Sequence, residues 1–111
     1  MTEWGSRGTG NGQFRLPRGI GVDSTGHVYV ADTFNHRVQK FTNDGTYVGQ
    51  WGEEGSEPGQ FRGPWSVTVD RTDAIYIVGV DNFRVQKFTA DGIPVTEWGE
   101  PPEPNVTAGP G

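Results

Sequence analysis

Branched and aromatic residues in this 111-residue chain fall in short groups parted by Gly, Pro, Asp and Asn. The segments 19–23 (Gly-Ile-Gly-Val-Asp) and 66–70 (Ser-Val-Thr-Val-Asp) alternate small or polar residues with branched ones, the period-two pattern of a strand. Segments 27–31 and 74–78 are rich in Val, Ile and Tyr and predict second strands. Asn43-Asp44-Gly45 and Asp91-Gly92 are hairpin chemistry and lead into strands over 47–51 and 95–98. Between them, 37–42 and 84–89 do not alternate cleanly: Val38 and Phe41 fall on opposite faces, as expected of a strand packed on both sides. No ten-residue stretch keeps a helical period without Gly or Pro interrupting it. The pattern predicts an all-β fold of short strands and tight turns.

The strands recur. Trp4-Gly5, Trp51-Gly52 and Trp98-Gly99 stand 47 residues apart, and the offset holds without a gap. Gln13-Phe14-Arg15 returns as Gln60-Phe61-Arg62, Pro17 as Pro64, Val22-Asp23 as Val69-Asp70, Tyr29 as Tyr76, and the run over 37–42 as 84–89. Four strand candidates in a repeat of this length suit a propeller blade better than a shorter solenoid unit. The expected organisation is an outer strand over 1–5, a blade over 6–52, a second over 53–99, and a disordered Pro/Gly-rich tail over 100–111.

The residues Gly8, Gly10, Gly12, Gln13, Phe14, Pro17, Gly19, Ile20, Val22 and Asp23, then 28–32 and 35–41, closely resemble the NHL repeat family. The second unit departs from the frame at three places: Gly79 for Asp32, Phe83 for His36 and Ser66 for Gly19. The resemblance implies β-propeller blades, typically six to a ring. It also makes sense of the twice-written Thr-Glu-Trp-Gly. Rings of this kind are commonly closed by an outer strand taken from the far end of the chain. Thr2, Glu3, Trp4 and Gly5, and their copies Thr96, Glu97, Trp98 and Gly99, are therefore the expected ring-closing residues. The two copies would compete for one sheet edge, leaving one displaced. Some similar propellers are metal-dependent lyases and some bind RNA, so the resemblance implies those alternatives beside a binding scaffold.

Composition narrows the chemistry. The chain has no Cys, no Gly-x-Ser-x-Gly element, and no Lys-Ser/Thr ending on its Gly-rich segment 8–12, so no nucleophile or phosphate loop is read and that segment is expected to shape the loop between blades. Two histidines, His27 and His36, are too few for a metal site in one chain. Three copies of His36 meeting near an axis would change that, and this is the lyase alternative, with its site at the channel mouth. No catalytic residue, metal or cofactor is expected otherwise. A formal charge of −5 opposes loading onto a phosphate backbone. No apolar run reaches membrane-spanning length, and Met1 is followed by polar residues, so neither a membrane partner nor a compartment is read.

Repetition argues for architecture, and difference argues for function. Arg37 and Arg84 are expected to pair with a neighbouring Asp, and Asp23 and Asp70 to close turns. The loops entering the first strand of each unit, and those joining its second and third strands, open on one rim of a propeller. There the units differ: Arg18 against Trp65, and Thr33-Phe34-Asn35-His36 against Val80-Asp81-Asn82-Phe83. Arg18, Phe34, His36, Trp65, Asp81 and Phe83 are accordingly the candidate binding residues for a protein or peptide. The competing reading has Phe34, Trp65 and Phe83 simply packing between blades.

Two blades do not make a propeller. Four strands of about five residues give a blade face of roughly 300 Å², so an isolated pair leaves about 600 Å² of largely apolar surface open. Three chains about a threefold axis would close six blades, because a head-to-tail interface that closes yields a ring. The expected partner is therefore the chain itself, as a homotrimer. A piece of a longer propeller and a self-assembling two-repeat protein fit equally well.

Overall fold

The turns are where the sequence acts most directly on the fold. Asp23 Oδ1 accepts hydrogen bonds from the Thr25 N–H (2.9 Å), the Thr25 hydroxyl (2.8 Å) and the His27 N–H (2.9 Å), while Tyr29 donates its hydroxyl to Oδ2 at 2.7 Å. Asp70 repeats this with Thr72, Ala74 and Tyr76. One carboxylate thus satisfies the turn's backbone and pins the following strand.

The computed structural model describes residues 5–79 and 84–99. Thr2, Glu3, Trp4, Asp81, Phe83 and the tail over 100–111 lie outside them. The described residues hold ten strands and one turn of 3₁₀ helix, Thr33–Asn35. Strands β3 (Pro17–Val22), β4 (Val28–Asp32), β5 (Arg37–Phe41) and β6 (Tyr47–Trp51) form one antiparallel meander. Strands β7 (Pro64–Val69), β8 (Ile75–Gly79), β9 (Arg84–Phe88) and β10 (Pro94–Gly99) form the second. Of the two Thr-Glu-Trp-Gly copies, the one at 96–99 is the edge of the second sheet, with Trp98 opposite Val85.

The segment between blades carries more order than its glycines suggested. Strands β1 (Ser6–Arg7) and β2 (Gln13–Phe14) pair in parallel, and the second unit repeats the contact as a single bridge between Glu54 and Phe61. Arg37 holds this loop by donating to the carbonyls of Thr9, Gly10 and Gln13, and Arg84 does the same to Ser56, Glu57 and Gln60. The recurring Arg-Val-Gln-Lys-Phe strand is therefore both a sheet member and a clamp.

The blades pack face to face. Tyr29, Ala31, Val38 and the partly buried Trp51 of the first meet Phe61, Val67, Ile75, Ile77 and Phe88 of the second, a core whose large side chains contribute roughly 1.5–3 kcal/mol each. Gly19 allows the close approach of β3 and β7: a Cβ there would lie 2.6 Å from Ser66 Cα and 2.8 Å from the Trp65 carbonyl oxygen. A smaller cluster, Val28, Val30 and Phe41 with Phe14 and Tyr47, lies on the other face of the first blade. Val38 and Phe41 do serve opposite faces.

Candidate functional site

Two equivalent irregularities set the first strands of the two sheets apart from plain ladders. The β3–β4 register slips between Pro17 and Gly19, and the β7–β8 register between Pro64 and Ser66. The residues left over are Arg18 and Trp65. Such bulges re-aim a side chain out of the ladder, and these two are aimed at each other: the Arg18 guanidinium lies 3.9 Å from the centre of the Trp65 ring. Both remain exposed, so the stacked pair presents a cation and an indole together.

His36 and Phe34 leave the 3₁₀ turn in different directions. His36 closes it in the left-handed conformation (φ +54°) and accepts the Gly63 N–H on Nδ1 at 3.1 Å, tying the two blades together. Its Nε2 lies 3.9 Å from Glu54. Thr33 adds a second tie by donating to the Pro64 carbonyl at 2.6 Å. Phe34, by contrast, is exposed and lines a groove of about 550 Å³ with Arg7, Phe14, Arg15, Leu16 and Pro17. Arg18 and Trp65 thus come together, while His36 turns to the blade junction and Phe34 to the groove. Among the described residues, no three His, Cys, Asp or Glu side chains are grouped to hold a metal ion.

The groove escaped the sequence reading, although one signal was available. Leu16 adopts φ +61° where the second unit has Gly63 at +76°, a backbone region that L side chains enter only at a cost. The conformation is held by flanking bonds, the Arg15 N–H donating to Asp32 (2.7 Å) and the Phe34 N–H to the Arg15 carbonyl (3.0 Å). It leaves an exposed apolar side chain in a groove that Arg7 and Arg15 also line.

Among the described residues the expected Arg–Asp pair exists in the first blade alone. Buried Arg37 donates Nε to fully buried Asp32 at 2.9 Å, and the same carboxylate accepts from Arg15, Asn35 and Gln39. For Arg84 the expectation is corrected: Gly79 stands in place of the Asp, and the carboxylate comes from Glu97 on the neighbouring strand at 2.6 Å. Gln50, the first-blade counterpart of Glu97, accepts from Arg37 at 3.0 Å as a neutral group. The charge partner has moved from one flanking strand to the other.

The turn carboxylates are strongly acidic. Burial works to raise Asp23, but hydrogen bonds from Tyr29, Thr25 and His27 outweigh it and lower it to about 2. The Thr72 and Tyr76 hydroxyls likewise bring Asp70 down to about 2. Tyr29 is raised above the ordinary phenol range by its burial and by Asp23.

Face-packed four-stranded meanders joined by an ordered loop are the blades of a β-propeller. Residues 14–41 match the NHL repeat. The chain is similar to protein lin-41 of Caenorhabditis elegans, 45% identical over 47 residues, which are 42% of this chain and 4% of that protein. It is similar also to NHL repeat-containing protein 3 of Homo sapiens, 44% identical over 46 residues, covering 40% of this chain and 13% of that protein. Among solved structures, a putative exported protein from Bacteroides fragilis aligns with a TM-score of 0.70 at 20% identity, over 90% of this chain and 28% of that one, a likeness of fold. The chain matches only a small part of each of these proteins.

Proposed function

We propose that this chain is a non-enzymatic binding scaffold that completes its propeller by head-to-tail docking of further copies, three chains making six blades, and presents its rim to protein ligands. One observation carries the reading: the two blade faces that do not meet within the chain are repeat copies of the two faces already buried against each other. The other face of the first blade carries Ile20 and Val22, exposed at the positions of Val67 and Val69, and Val28, Val30 and Phe41, buried with the partly buried Phe14 and Tyr47 at the positions of Ile75, Ile77 and Phe88. Ile20 is 65% exposed, whereas its counterpart Val67 is 7% exposed. The free face of the second blade offers Tyr76, Val78, Val85 and Trp98, at the positions of Tyr29, Ala31, Val38 and Trp51. Each chain holds both halves of one interface, the requirement for a closing heterologous ring.

The junction between copies differs from the one within the chain. Ser66 stands where Gly19 lets β3 and β7 touch, so the innermost strands of two docked copies stand farther apart. On the rim, the Arg18–Trp65 stack and the groove with Arg7, Arg15, Leu16 and Phe34 suit an extended acidic segment bearing apolar side chains. The metal-dependent lyase reading is the weaker one, because His36 spends Nδ1 on the blade junction and, among the described residues, no three His, Cys, Asp or Glu side chains are grouped to hold a metal ion.

Light scattering after size exclusion tests the assembly. The expected mass is three times 12.1 kDa, Ile20→Glu should return it to one chain, and Ser66→Gly should hold the assembly together at lower concentration. A folded wild-type monomer at every concentration overturns the reading.

A further inference from the structure

Trp51 and Trp98 hold the same place in the repeat and have different neighbours. In the first blade Trp51 stands edge-on to Tyr29, the ring planes 63° apart, and lies against the turn that follows β9: a Cβ built on Gly92 would be 2.6 Å from Trp51 Cε3 and 2.7 Å from Cδ2. Lys40, its Nζ 5.2 Å from the centre of the Tyr29 ring, donates to the Ala90 carbonyl of that turn at 3.0 Å. Three side chains of one blade thus grip a hairpin turn of the other, and only glycine fits under the indole. The second blade repeats the grip. Tyr76 donates to Asp70 as Tyr29 does to Asp23, and Lys87 Nζ lies 5.7 Å from the centre of the Tyr76 ring. Trp98, however, lies nearly flat along Tyr76, 19° between planes, and is 41% exposed. It covers a ring of its own blade instead of a turn.

The matching turn is present in the first blade. Residues 42–46 repeat 89–93 bond for bond: the Thr42 N–H donates to the Thr46 carbonyl (2.9 Å) and the Gly45 N–H to the Thr42 carbonyl (3.0 Å), as Thr89 does to Ile93 (2.9 Å) and Gly92 to Thr89 (2.9 Å). Gly45 takes φ +92° where Gly92 takes +88°, and Asn43 and Asp44 at the tip are exposed. We infer that Tyr76, Lys87 and Trp98 are the receptor for the 43–45 turn of a second copy, with Gly45 against the Trp98 indole and the Asn43 carbonyl on Lys87 Nζ. This rests on the assembly proposed above and names the contact that selects the partner. Receptor and turn stand on the second and first blades, the reverse of the pair that meets inside the chain, so the contact forms only between copies. A partner must bring glycine at the third position of the turn and a backbone carbonyl two residues before it. Trp98 must also leave its flat stack for the edge-on setting that Trp51 already has.

The test follows the glycine α-proton resonances by NMR across the concentrations over which light scattering reports assembly. The Trp51 ring current should displace those of Gly92 at every concentration, and those of Gly45 should move only as the mass rises. Gly45→Asn keeps the left-handed turn but puts a side chain into the indole. It should raise the concentration for half-assembly by about tenfold or more, with the far-UV circular dichroism unchanged. Lys87→Met should raise it several-fold. Gly45→Asn combined with Trp98→Ala, which makes room for the new side chain, should assemble more readily than Gly45→Asn alone. Should Gly45→Asn fail to fold, Lys87→Met and the Gly45 resonances of the wild type carry the test. Unmoved Gly45 resonances in an assembled chain, or a folded Gly45→Asn that assembles as the wild type does, overturn this contact and leave the assembly standing. A wild type that stays a monomer at every concentration overturns the assembly and the contact with it.

Discussion

Asp32→Ala followed by Gln50→Glu probes whether the two blades solve one electrostatic problem in two ways. Arg37 is 6% exposed and Asp32 is fully buried, so the single change removes the one carboxylate that, among the described residues, pairs with this buried guanidinium. Breaking such a pair from one side costs about 3–5 kcal/mol, because the remaining charge stays buried without compensation. The carbonyls of Thr9, Gly10 and Gln13 still accept from Arg37 but carry no charge. Gln50 already touches Arg37 Nη1 at 3.0 Å, so Gln50→Glu would place a carboxylate where Glu97 serves Arg84. It would not reach Arg37 Nε, which would be left without a hydrogen-bond partner, as buried Arg84 Nε is, at a residual cost of about 1–3 kcal/mol. The double variant should therefore recover roughly half the loss, about 2 kcal/mol, as a coupling energy in a double-mutant cycle. Urea unfolding followed by circular dichroism, with the mass of each variant held equal, measures it. A loss below about 1 kcal/mol for Asp32→Ala, or strictly additive effects, would refute the reasoning.

Three further outcomes are expected. Gly19→Ser, which copies Ser66 into the blade junction, should destabilise by about 1–3 kcal/mol in urea titrations, since the added Cβ meets backbone that cannot rotate away; unchanged stability would mean that the blades separate freely. Leu16→Gly should leave stability within about 1 kcal/mol of wild type, because relief of the left-handed backbone offsets the lost side chain; a loss above about 2 kcal/mol would show that Leu16 is held by packing. Asp23 and Asp70 ionise at about 2 in the fold against an ordinary 3.8, so the native state binds fewer protons than the unfolded chain, and their stabilisation is full above that ordinary value and lost as pH falls toward 2. Asp23→Asn with Asp70→Asn should flatten the decline of Tm across that window, and an unaltered slope would place the acid sensitivity elsewhere.

The blade strands were legible because local rules act alone there. Alternation, hairpin residues and the 47-residue repeat located all eight, and the turn carboxylates Asp23 and Asp70 depend on neighbours no more than six residues away. The substitutions of Gly79 for Asp32 and Ser66 for Gly19 were visible too, as letters. Their meaning was not. That Gly19 is a backbone contact, that Glu97 replaces a lost carboxylate, that Arg84 Nε is stranded, and that Arg18 covers Trp65 all depend on which residues meet across a sheet or between blades. Those distances are fixed by packing of segments tens of residues apart, and by bulges that shift a register by one. Sequence alone determined the unit and its turns; tertiary structure decided what each departure from the repeat leaves exposed, paired or stranded.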